Sequence, residues 1–182
     1  YDDLFGEDGI YVTGKEYDEW YLSGDTSKEA PTPNFTKKRE VGATAELLDK
    51  SGDILNQAVG LRLQGASARR ERRKRLTIAA REEYSGSDTF QATLYEGVST
   101  HAVMLKSYFP DTLASRLVEN RSVSVQRSIP VRVFLNGELL YDSYLLERYD
   151  KRYFRQHYNV DGFILVKDGA VHDEDTSSAD NI

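Results

Sequence analysis

The stretch "IPVRVFLNGELLYDSYLLER", residues 129–148, predicts a hairpin of two antiparallel strands. Asn136 and Gly137 stand between its two arms. Both residue types tolerate the positive φ angles that a tight two-residue turn demands. The chain is therefore expected to contain an antiparallel sheet, with this hairpin as one of its parts.

Other segments extend the predicted sheet in both directions along the chain. Residues 41–65 predict a second hairpin, with its turn in "DKSGD" at 49–53 and apolar residues that alternate on either side. The alternating residues are Ala43, Ala45 and Leu47, then Val59, Leu61 and Leu63. Further strands are expected at Ile10–Val12 and within residues 75–81, 101–107 and 162–169, whereas residues 23–38 are expected to form a loop.

Three segments predict helices. In the first, residues 111–123, Asp111 or Thr112 is expected to cap the helix, since their side-chain oxygens accept hydrogen bonds from free amides of the first turn. An apolar stripe is expected to pack this helix against the sheet. The stripe consists of Leu113, Leu117, Val118 and Ala114. Residues 150–158, capped by Asp150, and residues 15–22 predict shorter helices, so the expected fold class is α+β, an antiparallel sheet with a packed helix.

Composition excludes several classes of protein. The chain has 182 residues, 39% of them hydrophobic, which is typical of a single globular domain. It has no cysteine, and therefore no disulfide, thiolate metal site or cysteine nucleophile. A net charge of −6 argues against general nucleic-acid binding, and no apolar run is long enough to predict membrane insertion. One domain is expected over residues 1–167, followed at 168–182 by an acidic linker or the start of another segment.

A basic run interrupts this acidic chain. Six of the seven residues from Arg69 to Arg75 are arginine or lysine. Such a run is most often a solvated surface, but it also suits a grip on a polyanion or the surroundings of one functional lysine. The residues alone leave these three interpretations open.

Three separated stretches together resemble the CotH family, the atypical kinases named for a spore-coat protein. They are "DGIYVTG" at 8–14, "GLRLQGASARRERRKRLTIAAREEY" at 60–84 and "PVRVFLNGELLYDSYLLERYDKRYF" at 130–154. The resemblance runs from about residue 4 to about residue 169. The positions that match the family pattern are Gly65, Arg69, Lys74, Asn136, Gly137, Glu138, Tyr144 and Glu147. The positions that depart from it are Ala68, Arg72, Arg75 and Asp142.

The resemblance implies that the sheet is the small, nucleotide-binding lobe of a kinase-like fold that uses ATP and Mg²⁺. Lys74 and Arg69 would then neutralise phosphates, beside Gly65 and with Glu119 as a partner for the lysine. Glu147 would lie at a hinge near the adenine or ribose. The acidic residues that hold the metal are expected further along the chain than Ile182, so these residues alone are expected to be inactive. The implied partner is a coat or surface protein phosphorylated on Ser or Thr, outside the bacterial cytoplasm.

Two other functions remain open. The departures from the family pattern suit a non-catalytic scaffold of a coat, cell surface or extracellular complex. The basic run at 69–75 suits a polyanion binder. The three histidines, His101, His157 and His172, have no metal-binding spacing.

Overall fold

A computed structural model describes residues 1–65, 67–107, 109–119 and 121–160, and the strand segments 165–167 and 170–172. The fold is α+β, as predicted. The helices are α1 (Asp2–Phe5), α2 (Lys15–Ser23), α3 (Glu82–Ser85), α4 (Phe109–Val118) and α5 (Lys151–Tyr158). The strands are β1 (Glu40–Asp49), β2 (Gly52–Gln64), β3 (Arg75–Ala79), β4 (Ala102–Lys106), β5 (Ser128–Leu135), β6 (Glu138–Glu147), β7 (Leu165–Lys167) and β8 (Ala170–His172). Two short 3-10 helices span Asn34–Thr36 and Ser67–Arg70.

Six strands form one antiparallel sheet in the order β1-β2-β3-β4-β6-β5. Its register is visible in a row across the central strands, in which Leu76 of β3 is opposite Leu105 of β4 and Leu105 is opposite Leu145 of β6. All three side chains are buried in the main core. Strands β7 and β8 pair with each other as a separate two-stranded sheet.

The large sheet curls, because β1 and β5 stand at its two edges yet line the same cavity. Adjacent strands twist with a fixed hand, and the accumulated twist brings distant corners of a sheet toward each other. The core lies on the concave side of this curl. Leu4 of α1, Phe90 and Leu94 cover part of it from segments outside the sheet.

Both predicted hairpins are confirmed. Asn136 and Gly137 have φ angles of 50° and 84°, the positive values that the tight turn between β5 and β6 requires. The other hairpin turns between Asp49 and Gly52 and pairs β1 with β2 along its length. Local turn chemistry and alternation therefore predict these four strands correctly.

Two local predictions are wrong. Ile10–Val12 is not a strand but part of a turn, where the Ile10 amide donates a hydrogen bond back to the Asp3 carbonyl. Helix α4 begins at Phe109, so Asp111 and Thr112 lie inside the helix and neither caps it. Its predicted apolar stripe is not buried either, since Leu113 is 43% and Leu117 is 72% exposed.

The short helix α5 is confirmed together with its cap. The Asp150 carboxylate accepts hydrogen bonds from the backbone amides of Arg152 and Tyr153, at 3.0 and 3.1 Å. The same carboxylate lies 2.6 Å from Nε2 of His101, which precedes β4. Burial alone would raise the pKa of Asp150. The hydrogen bond with His101, the charge of His101 and the backbone hydrogen bond from Tyr153 instead lower this pKa. These contacts fix the start of α5 against the sheet.

Some predictions fall on residues that the structure does not describe. The turn expected at the end of residues 162–169 is one of them, although Leu165–Lys167 forms the predicted strand as β7. Of residues 168–182, only Ala170–His172 is described, as β8. Within the described ranges, no helix is both long and apolar enough to cross a bilayer.

Candidate functional site

The basic run lies in a compact loop between β2 and β3. Gly65 follows β2 with a φ angle of 85°, a conformation that residues with a side chain rarely adopt. A Cβ atom at this position would also lie 3.1 Å from the Cβ of Ala68, which is tighter than normal packing. Glycine therefore allows the chain to reverse at once into the 3-10 helix Ser67–Arg70.

The two family-matched cations of the run, Arg69 and Lys74, are the buried ones. They are 5% and 8% exposed, whereas Arg70, Arg72 and Arg73 are exposed. The run is therefore not uniformly solvated. Burial separates the two residues that match the family pattern from their exposed neighbours.

The Lys74 ammonium group is bonded within its own loop. It donates hydrogen bonds to the carbonyl oxygens of Arg69, at 2.6 Å, and Glu71, at 3.1 Å. It also lies 4.4 Å from the centre of the Phe35 ring, a favourable distance for a cation over an aromatic face. Burial lowers the pKa of Lys74, while the charge of Glu71 opposes the shift. In this conformation the lysine holds the loop together.

Arg69 joins this loop to a neighbouring one. Its Nη1 donates to the carbonyl oxygen of Thr36, at 3.1 Å, in the 3-10 helix Asn34–Thr36. Its Nε is buried without a hydrogen-bond partner. On the other side, the hydroxyl groups of Tyr11 and Tyr141 donate to the Lys74 carbonyl oxygen, at 3.3 and 3.4 Å. The loop is thus fixed against three other parts of the chain.

The anchored loop places the exposed Arg73 at an open cleft of about 570 Å³. The other residues that line the cleft are Ser107, Pro130, Val131, Arg132, Asp142, Ser143 and Tyr144. The two guanidinium groups and three hydroxyl groups of this lining can donate hydrogen bonds to phosphate oxygens. Asp142 offsets part of the positive charge, since it lies 3.1 Å from Nε of Arg132. The volume lies within the usual range of ligand sites.

Glu147 lies elsewhere on the sheet. It is opposite Val103 of β4, and Val103 is opposite Ile78 near the end of β3, whereas Lys74 immediately precedes the start of β3. At roughly 3.3 Å per residue, four residues separate the two levels by about 13 Å along the strands. The structure therefore brings Arg69, Lys74 and Gly65 together but does not place Glu147 with them.

Glu147 is 5% exposed, and its carboxylate makes several hydrogen bonds. Arg127 donates to it twice, from Nε at 2.8 Å and from Nη2 at 2.9 Å, and His157 Nε2 lies 2.8 Å from Oε1. The hydrogen bonds to Glu147 raise the pKa of Arg127. This cluster ties the end of β6 to the segment before β5 and to α5. Planar bidentate geometry of this kind gives both strength and orientation.

Two further expectations concern single side chains. Glu119 is exposed and makes neither a hydrogen bond nor an ion pair with Lys74, so the predicted partnership is not formed between these described residues. His101 and His157 face different carboxylates, Asp150 and Glu147. Within the described ranges, no group of three or more His, Asp or Glu side chains is arranged to hold a metal ion.

Arg73 lines the cleft, although a charge run such as this one most often forms a solvated surface. In a run of arginines every member has the same chemistry, and only the fold separates exposed from buried ones. The available signal was its position, one residue before a lysine that matches the family pattern. Tyr144, in contrast, was identified from the resemblance and does line the cleft.

Comparisons with known proteins give no independent assignment. No protein-family model matches the chain, and no curated protein matches it significantly. The resemblance to the CotH family therefore stays a prediction that rests on the residues quoted above.

Proposed function

We propose that this chain is the nucleotide-binding portion of a CotH-like atypical protein kinase. Such a kinase transfers phosphate from Mg-ATP to Ser or Thr of a surface or spore-coat protein. The observation that supports the proposal most is the cleft in which Arg73 of the basic loop meets Tyr144, a family-matched residue. Phosphoryl transfer depends mainly on positioning and on neutralising phosphate charge, and this cleft has groups suited to both.

In this proposal the cations of the loop have different roles. Arg69 and Lys74 shape the loop through backbone carbonyl groups, and Arg73 contacts the phosphates from its exposed position. The donors in the cleft fit the phosphate groups of a nucleotide. They do not fit Mg²⁺, because Asp142 is the one carboxylate among the lining residues and it is paired with Arg132. No chemical step is assigned to the metal.

Titration of Mg-ATP by calorimetry tests the proposal. The wild-type chain is expected to bind weakly, and Lys74→Ala is expected to bind at least tenfold more weakly because the loop loses its internal anchor. Lys50→Ala is the matched control, since Lys50 is an exposed lysine at the tip of the β1–β2 hairpin. Equal affinity of the wild type and Lys74→Ala would show that the anchor from Lys74 has no role in binding Mg-ATP. Phosphate transfer by these 182 residues alone would contradict the expected inactivity.

A non-catalytic scaffold is the second candidate. It is favoured by the engagement of Lys74 with backbone carbonyls and of Glu147 with Arg127 and His157. In this candidate the family-matched residues maintain the fold and contact no nucleotide. A folded chain that shows no saturable binding of Mg-ATP at millimolar concentration would support it over the kinase proposal.

A polyanion binder is the third candidate, favoured by the exposure of Arg70, Arg72 and Arg73 on one short loop. Binding to phosphate chains releases counterions and therefore weakens steeply with salt. A single-stranded oligonucleotide, titrated at low and at physiological salt, distinguishes it. Affinity that does not change with salt removes this candidate.

A further inference from the structure

We propose that the concave side of the sheet is a binding site for the alkyl chain of a small neutral ligand. The site is a partly open cavity of about 190 Å³ on the concave side of the sheet, with the edge strands β1 and β5 on its two sides. It shares Val131 and Arg132 with the cleft at Arg73 but no other lining residue, and the inference does not rest on the proposed function.

Small side chains leave this space open. Ala43 and Ala45 of β1 face Val131 and Val133 of β5 across the cavity, and all four are only partly buried although they pack on the core. Behind them lie Val59, Leu61, Leu76, Val103, Leu105 and Leu145. An apolar cavity of roughly 150 Å³ with a similar lining is large enough for benzene, so this one has room for a short alkyl chain.

The lining selects an apolar occupant. Its charged residues, Glu46 and Arg132, are exposed side chains of the two edge strands. The hydroxyl of Tyr11 is directed to the Lys74 carbonyl. Among the described residues, none of the buried side-chain polar atoms without a partner belongs to the lining. No buried side chain of this lining therefore requires water or a polar ligand, and burial of hydrocarbon is favourable there.

The edge strands argue against the other obvious occupant, an extended peptide strand. The Glu147 amide donates to the Arg127 carbonyl, at 3.0 Å, and ladder bonding alternates along an antiparallel pair. The backbone of Pro130 therefore faces outward on β5, where proline has no N–H to offer. The register also shifts beside both edges, where Ile54 of β2 is the extra residue opposite Leu47 and Leu48, and Leu140 of β6 is the extra residue opposite Val133 and Phe134. These bulges increase the local twist of each edge pair. Bulges and proline are the features that protect edges from strand addition.

Calorimetric titration with 1-hexanol tests the site. The wild type is expected to bind one equivalent saturably. Ala45→Leu fills the cavity and is expected to weaken binding at least tenfold. Ala114→Leu makes the same change at an exposed position of α4 and is expected to leave the affinity unchanged. Unchanged affinity of Ala45→Leu, or no saturable binding by the wild type, would overturn the proposal.

A second measurement needs no variant, so it remains decisive if Ala45→Leu does not fold. Methyl NMR spectra of the wild type are recorded with increasing 1-hexanol. Saturable shifts are expected for Val59 and Val133 in the lining but not for the exposed Leu22 and Leu117. Shifts spread equally over both groups would mean nonspecific solvation and would contradict a defined site. Shifts that depend on protein concentration would identify a second copy as the occupant and would likewise contradict it.

Discussion

The ammonium group of Lys74 lies 2.6 Å from the carbonyl oxygen of Arg69, five residues earlier in the same loop. This bond closes the basic loop on itself and leaves Arg73, the residue in between that lines the cleft, pointing outward. A lysine near the end of a cationic run thus acts first on the shape of the loop. Lys74 affects the binding of an anion through the position that it gives to Arg73.

Replacement of Lys74 by alanine is expected to destabilise the fold by about 2 kcal/mol, the usual range for a lost hydrogen bond to a charged group. The carbonyl groups of Arg69 and Glu71 lose their donor, and the ring of Phe35 loses its cation. Urea unfolding measures the change. Arg72→Ala is the control, because this neighbouring cation is exposed and is expected to change the free energy by less than about 0.5 kcal/mol. Equal effects of both substitutions would mean that the loop is solvated throughout.

Gly65→Ala is expected to lower the free energy of unfolding by about 1–2 kcal/mol. The substitution forces a side chain into positive φ and brings its Cβ to 3.1 Å from that of Ala68. The double variant Gly65→Ala, Ala68→Gly removes the steric contact and keeps the backbone strain. Once the separate effect of Ala68→Gly is subtracted, this double variant is expected to recover part of the stability that is lost in Gly65→Ala. A Gly65→Ala protein as stable as the wild type in thermal unfolding would show that the tight turn is not required.

Regular elements could be predicted from the sequence because their signals are local. Alternation identified the strands of the β1–β2 hairpin, Asn136 and Gly137 identified the turn between β5 and β6, and Asp150 identified the cap of α5. Helix α4 shows the limit of such signals. Its apolar residues predicted a buried stripe, but burial depends on where the rest of the chain packs, and Leu117 is exposed.

Glu147→Gln is expected to destabilise the fold by about 3 kcal/mol, since it breaks a buried ion pair and leaves Arg127 beside a neutral amide. The same substitution at Glu138, an exposed carboxylate on the same strand, is the control and is expected to have little effect. Chemical denaturation compares the two. If Glu147→Gln cost no more than Glu138→Gln, the cluster with Arg127 and His157 would not hold β6 and α5 together.

The ion pair between Glu40 and Arg81 predicts a pH dependence of stability. Arg81 donates to the Glu40 carboxylate from Nε, at 2.9 Å, and from Nη2, at 2.7 Å. These hydrogen bonds lower the pKa of Glu40 in the folded state. The stabilisation is therefore present above the unfolded pKa of about 4.3, and it is lost as the pH falls through the folded pKa.

Wild type and Glu40→Gln are expected to differ by up to about 1 kcal/mol at neutral pH, because the pair is partly exposed. The difference should shrink below about pH 4 as the wild-type carboxylate is protonated. Unfolding at a series of pH values measures it. Glu46→Gln, an exposed acid on the same strand, serves as the control. A difference that stays constant from pH 7 to pH 2.5 would contradict the assignment to this carboxylate.

The site could be predicted only in part. The resemblance to the CotH family singled out Arg69, Lys74 and Tyr144, and the structure places the first two in one loop and the third in the cleft that Arg73 of this loop lines. Spacing did not show that Lys74 bonds backbone carbonyls or that Glu147 lies at the other end of the strands. Strand register and side-chain direction determine the bonding of Lys74 and the position of Glu147. Neither register nor side-chain direction can be read from a run of charged residues.

The central claim is that the basic loop presents Arg73, rather than any other exposed arginine, to the phosphates of a nucleotide. Calorimetric titration of Mg-ATP into the wild type, Arg73→Ala and Arg70→Ala at physiological salt tests it most directly. Arg70 belongs to the same run and is also exposed, but it does not line the cleft. The affinity is expected to fall at least tenfold for Arg73→Ala and to change less than twofold for Arg70→Ala. Equal losses for the two variants would contradict it, because they would mean that only the overall charge of the loop matters.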